Sequence, residues 1–76
     1  MITLDNLPLD RNATVIALHD HELKSRLAEM GLVEGQSIKV LFKAPFGDPI
    51  AVAAGDYVLS LRKAEASIVQ VEEQKV

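Results

Sequence analysis

The run Ser37-Ile38-Lys39-Val40-Leu41-Phe42-Lys43-Ala44 leads through Pro45-Phe46-Gly47-Asp48-Pro49 into Ile50-Ala51-Val52-Ala53-Ala54, and then through Gly55-Asp56 into Tyr57-Val58-Leu59-Ser60-Leu61. Ile38, Val40, Phe42 and Ala44 alternate with Ser37, Lys39, Leu41 and Lys43, which is the period of two of a half-buried strand. Ala44-Pro45-Phe46-Gly47 places Pro second and Gly fourth, as a type I turn favours. Ile50–Ala54 is a second strand. Gly55-Asp56 is a two-residue hairpin signal, because glycine takes the positive φ such turns need. Tyr57, Leu59 and Leu61 then alternate with Val58, Ser60 and Arg62. The stretch reads as a three-stranded antiparallel meander.

On its N-terminal side, residues 13–19 are rich in strand formers and short enough for one strand. Asp20 stands where a helix N-cap belongs. Leu23, Leu27, Ala28 and Met30 then mark one apolar side of a helix over 21–30, with Glu22 and Arg26 as an i,i+4 pair contributing ~0.3–0.5 kcal/mol. Gly31 ends that helix as a left-handed residue, and Leu32 packs back beside it. Residues 2–12 form a lead-in that lays Leu4, Leu7 and Leu9 over the core and turns at Asp10-Arg11-Asn12. On the C-terminal side, Lys63–Ser67 suits one helical turn, Ile68–Glu72 a last strand, and Glu73–Val76 a frayed tail. The expectation is a mainly β fold, a small antiparallel β-barrel of five strands with one α-helix after the first strand, plugged at one end by Leu23, Leu27 and Met30. Residues 1–76 form a single domain with its core within roughly 3–72.

Composition narrows the function classes. The chain has 76 residues, 49% of them apolar, and no cysteine, so it should fold without disulfides, Cys-type zinc sites or thiol chemistry. Its net charge of −3 and its three aromatics (Phe42, Phe46 and Tyr57) give neither the basic footprint nor the stacking surface of a nucleic-acid binder. No signal peptide is legible, and the longest all-apolar run, Ile50–Ala54, is far short of the ~20 residues that cross a bilayer, which points to a soluble cytoplasmic domain without membrane insertion. Gly31, Gly35, Gly47 and Gly55 form no phosphate-binding loop, and no serine sits in a nucleophile elbow. The chain reads as a non-enzyme.

One cluster has the residue types of a metal site. His19-Asp20-His21-Glu22 contains an H-x-H, and imidazole with carboxylate binds Fe²⁺ or Zn²⁺. The competing reading ends a strand at His19, caps a helix with Asp20 and leaves His21 in its first turn, where the two rings diverge. No cofactor is otherwise expected; a weak transition metal, Fe²⁺ or Zn²⁺ on His19 and His21, is the candidate.

Ser25-Arg26-Leu27-Ala28-Glu29-Met30-Gly31-Leu32, then Gly35, then Ala44-Pro45-Phe46-Gly47-Asp48-Pro49, then Tyr57-Val58-Leu59-Ser60-Leu61-Arg62 with Glu65-Ala66 resemble the FeoA family in order and spacing over residues 3–72. The sequence departs from it where Asp10-Arg11-Asn12 replaces a turn that often holds glycine, and where Glu34-Gly35 stands for a common Pro-Gly. The resemblance implies an SH3-like barrel. It also implies a non-enzymatic cytoplasmic accessory role in bacterial ferrous iron uptake, by protein–protein interaction with FeoB, the membrane Fe²⁺ transporter. It carries no established metal ligands. The candidate partner-binding residues are Leu32, Val33, Pro45, Phe46, Gly47 and Asp48, while Gly31, Gly35 and Gly55 serve backbone geometry and Arg62 pairs with Glu65. The alternatives are a metal-sensing adaptor using His19 and His21, and a regulator-like SH3 domain that binds a peptide segment. The sequence leaves self-association open.

Overall fold

The apolar alternation of residues 37–61 forms the meander it predicts, and the rest of the chain wraps it. The computed structural model describes residues 2–19 and 22–74. Its elements in order are β1 (Ile2–Thr3), a 3₁₀ turn (Leu4–Asn6), β2 (Asn12–Leu18), α1 (Lys24–Glu29), β3 (Ser37–Lys43), a turn at Pro45–Gly47, β4 (Ile50–Ala54), β5 (Tyr57–Leu61), α2 (Lys63–Ala66) and β6 (Val69–Glu73). The strands form one antiparallel sheet in the order β1-β6-β2-β3-β4-β5. Among the described residues there are six strands rather than five, because the two-residue β1 pairs Ile2 with Val71 and Thr3 with Gln70. So short a strand has too little sequence to show a period.

The core follows the alternation. Val15, Ile38, Val40, Ile50, Val52, Leu61, Val69 and Val71 point inward from five strands, and Leu4, Leu7, Leu27 and Leu32 close over them. Each fully buried Leu or Val contributes roughly 1.5–3 kcal/mol by leaving water. Leu9 of the expected lead-in stays half exposed instead. Irregular register between Val15 and Ala17, and again between Val40 and Phe42, bends the sheet around this core. The second irregularity corrects the expected inward row: Val40 pairs with Val52 but Phe42 with Ala51, so Leu41 is an extra residue and Phe42 is turned to the outer face, 56% exposed.

Helix α1 is shorter than the expected 21–30. It starts at Lys24, with Leu23 in the N-cap position, and Asp20, the expected cap, lies outside the described residues. Leu27 is buried while Leu23 and Met30 pack half-buried against the core. At its end the expected cap forms: Gly31 has φ +90°, its N–H donates to the Ala28 carbonyl at 3.0 Å, and the Leu32 N–H donates to the Leu27 carbonyl at 3.0 Å. These are the paired bonds of a Schellman motif. The tail is less frayed than expected, since Glu73 belongs to β6 and the Gln74 N–H donates to the Asn12 carbonyl at 2.8 Å.

Candidate functional site

The β3–β4 connection projects the most exposed large side chain among the described residues. The Gly47 N–H donates to the Ala44 carbonyl at 2.7 Å across a four-residue turn, and Phe46 has φ 71° and ψ 6°. Those angles belong to the third position of a type II turn, not to the expected type I. Pro45 pre-sets the second position in either type, so composition alone does not separate them; glycine would be the usual third residue, and here it is phenylalanine. A non-glycine residue held there is strained by ~1–2 kcal/mol. The Phe46 side chain does not fold back onto the sheet: it is 99% exposed.

The loop is anchored at both ends. The Ala44 N–H donates to the Pro49 carbonyl at 3.0 Å, closing residues 44–49 above the Lys43–Ile50 pair, with the Asp48–Pro49 peptide cis. Asp48 Oδ1 accepts the Lys63 N–H at 3.2 Å at the start of α2 and lies 3.9 Å from the Arg62 guanidinium. Asp48 therefore has a structural use, and Phe46, Pro45 and Gly47 form the projecting part.

The other expected contact residues divide. Leu32 is fully buried, so it leaves the surface set: its packing against the helix end takes it into the core. Val33 is 45% exposed and opens a second turn, in which the Gln36 N–H donates to the Val33 carbonyl at 3.1 Å and Gly35 has φ +89°. This turn is tied to β2 by the Gly35 N–H on the Val15 carbonyl at 2.7 Å. No hydrogen bond among the described residues joins it to the Phe46 loop, so the two stand as separate elements.

The structural residues have partly different partners from those expected. Glu65, 6% exposed, accepts the Arg62 backbone N–H at 2.7 Å through Oε1, while its Oε2 lies 3.6 Å from Arg26 Nε. The Arg62 guanidinium thus faces Asp48 rather than Glu65, and Arg26 turns to Glu65 rather than to Glu22. Sequence spacing cannot reveal a pair so far apart in the chain. Gly55 has φ +65° and joins β4 to β5 with Ala54 paired to Tyr57, the two-residue hairpin expected. Tyr57 opens β5, and its hydroxyl reaches across to donate to the Gly31 carbonyl at 3.2 Å, a contact no local spacing signals.

The H-x-H cluster falls only partly within the described residues. His19 is exposed at the end of β2, its N–H donating to the Ile68 carbonyl at 2.9 Å, and His21 lies outside the described residues. Among the described residues no three His, Cys, Asp or Glu side chains are grouped to hold a metal ion. None of the buried side-chain polar atoms among them lacks a partner, and no helix among the described residues is long and apolar enough to cross a membrane.

Residues 2–73 match the family model for the FeoA domain. A Porphyromonas gingivalis protein named as a fusion of Fe(2+) transport protein A with the Fe(2+) transporter FeoB is 41% identical over 49 residues, 64% of this chain but 6% of that protein. The chain therefore spans a small part of the curated relative it matches. Among solved structures, a FeoA-like protein from Clostridium acetobutylicum is 36% identical and superposes with a TM-score of 0.91, covering 99% of this chain and 88% of that one. Stenotrophomonas maltophilia FeoA in complex with zinc, described as a prokaryotic SH3 domain protein, is 34% identical with a TM-score of 0.80, covering 95% of this chain and 91% of that one. The architecture is the SH3-like one.

Proposed function

Because this chain belongs to the FeoA domain family, whose place is in ferrous iron transport, we propose that it is a non-enzymatic cytoplasmic accessory protein that acts by docking on the cytoplasmic part of a FeoB-type Fe²⁺ transporter. The observation that carries the reading is the fusion relative, in which a segment like this chain and the transporter share one polypeptide. Covalent linkage raises the effective concentration of one part at the other, which is useful where the two work in contact. Phe46 supports the mode of action. A phenylalanine held 99% exposed on a strained turn adds nothing to the core and has the character of an interface anchor.

The test is capture of the transporter's purified cytoplasmic part by the immobilised chain, with and without Fe²⁺ and GTP. Binding that weakens ~10-fold or more in Phe46→Ala, with the fold intact, supports the reading. Absence of binding under every condition overturns it. The zinc complex of the S. maltophilia relative favours a second reading, a metal-sensing adaptor using His19 and His21. That reading requires binding that depends on Fe²⁺ and loses the dependence in the His19→Ala/His21→Ala double variant.

A further inference from the structure

Strand β5 ends the sheet, with β4 as its only strand neighbour among the described residues. Ala54 and Tyr57 close the two-residue hairpin, so they exchange both backbone bonds, and every second pair along the ladder does the same. Val52 with Leu59 and Ile50 with Leu61 are such pairs. The N–H and C=O groups of Val58 and Ser60 therefore point away from β4, toward the open edge. Natural edges are guarded by charge, proline or a bulge. Tyr57-Val58-Leu59-Ser60-Leu61 has none of these, and Val58 is 60% exposed.

The segment Asp56–Arg62 is complementary to itself when reversed. We infer that two copies of this chain pair edge to edge through β5, antiparallel, about a two-fold axis at Leu59. In that register Val58 of each copy faces Ser60 of the other, so the outward backbone groups of both meet and extend the ladder. Asp56 faces Arg62 of the second copy at both ends of the pairing, and Tyr57 faces Leu61. Val58 and Ser60 lie on the outer face of β5, with Asp56 in the hairpin turn before it and Arg62 just after it; all four are exposed, so the two charges stand at opposite ends of the open edge. The Arg62 side chain is 73% exposed, and its 3.9 Å approach to the exposed Asp48 is weak enough to yield to Asp56 of the second copy. Leu59, left half-buried at the edge, lies against Leu59 of the second copy in a close non-hydrogen-bonded pair. The occupant is a second copy because the charges at the two ends are opposite and equally spaced from Leu59. This pairing is independent of the Phe46 loop and of the transporter.

Sedimentation velocity on the full chain from ~10 µM to ~1 mM reads the dimer directly. A concentration-dependent dimer is expected for the natural sequence. Asp56→Arg and Arg62→Asp should each weaken it ~10-fold, and the combined exchange should restore it to within ~3-fold, because both ion pairs re-form with their signs reversed. Ser60→Pro, which removes an outward N–H and no β4–β5 bond, should abolish it. Circular dichroism of each variant confirms the fold. A chain that stays monomeric at every concentration overturns the inference. So does a dimer that survives Ser60→Pro, or one that the combined exchange fails to restore, since the copies then meet elsewhere. Loss of transporter capture in Ser60→Pro with no dimer in the natural chain assigns the edge to the transporter and also overturns it.

Discussion

The Tyr57 hydroxyl and Gly31 are in direct contact: the hydroxyl donates to the glycine carbonyl at 3.2 Å, and a Cβ on Gly31 would stand 1.9 Å from its oxygen. The contact fastens the C-terminal cap of α1 onto the first residue of β5. Gly31 is thereby required twice, once for its φ of +90° and once for the space above it. The tyrosine ring is half exposed and can swing away, so the backbone term is the larger. Gly31→Ala should destabilise the fold by ~1–2 kcal/mol, lowering the thermal midpoint by roughly 5–15 °C. In a Tyr57→Phe background the loss should be smaller, because the obstructing oxygen is gone. Additive losses in that double-mutant cycle would show that the hydroxyl and the glycine are not coupled.

Asp10 occupies the turn where the resemblance leads one to expect glycine, and it has φ 61°. The aspartate takes the left-handed conformation itself, which Asp tolerates better than most residues. Its side chain is exposed, so packing contributes little to any substitution here. Stability should therefore rank by backbone preference, with Asp10→Gly near the natural chain and Asp10→Val lower by ~1–2 kcal/mol. Chemical denaturation of the two variants measures this; an Asp10→Val variant as stable as the natural chain would contradict the ranking.

Glu34 precedes Gly35, whose φ of +89° is that of the third position in a type II turn closed by the Gln36 N–H on the Val33 carbonyl. The second position of that turn has the φ that proline fixes. Glu34→Pro should therefore stabilise by ~0.4–1 kcal/mol, by narrowing the unfolded ensemble, and raise the midpoint by roughly 2–8 °C. A lowered midpoint would mean that the Glu34 N–H or the Val33 backbone is committed elsewhere.

Glu65 combines burial with charge, and its main task is to hold the Arg62 N–H at the head of α2. Glu65→Ala leaves that donor without a partner and should cost ~1–3 kcal/mol. Arg26 approaches the same carboxylate at 3.6 Å from an exposed position, so Arg26→Ala should cost under ~1 kcal/mol. Glu65→Gln keeps an acceptor and should fall between them. Equal losses in Glu65→Ala and Arg26→Ala, measured by thermal melting, would make the ion pair the main term instead.

Regular alternation made most of this fold legible. Ile38, Val40, Ile50, Val52 and Leu61 announce the inner face of the sheet, and Gly31 and Gly55 announce where the chain reverses. What the sequence hid depends on one-residue offsets or distant partners. The extra Leu41 moves Phe42 from inside to outside, although Ile38, Val40 and Phe42 keep the period of two without a break. Arg26 finds Glu65 rather than Glu22 because α1 begins only at Lys24, leaving Glu22 outside it. At the candidate site, Pro45 and Phe46 could be singled out by residue type, but whether Phe46 points outward depends on the turn type. Pro45-Phe46-Gly47 is compatible with both forms.

Phe46 gives the sharpest separation of stability from function. Its side chain is 99% exposed, so the fold gains almost nothing from it, while its φ of 71° carries a backbone cost. Phe46→Gly relieves that cost and gives back a similar amount through the greater freedom of glycine in the unfolded chain. The thermal midpoint of Phe46→Gly should therefore equal or slightly exceed that of the natural chain, and Phe46→Ala should stay within a few degrees. Capture of the transporter's cytoplasmic part should fall ~10-fold or more in both, as loss of a central aromatic anchor would require. A residue retained only for folding would show the opposite, a lowered midpoint with capture unchanged. Lowered stability in both variants would place Phe46 among the structural residues and return the docking surface to another part of the molecule.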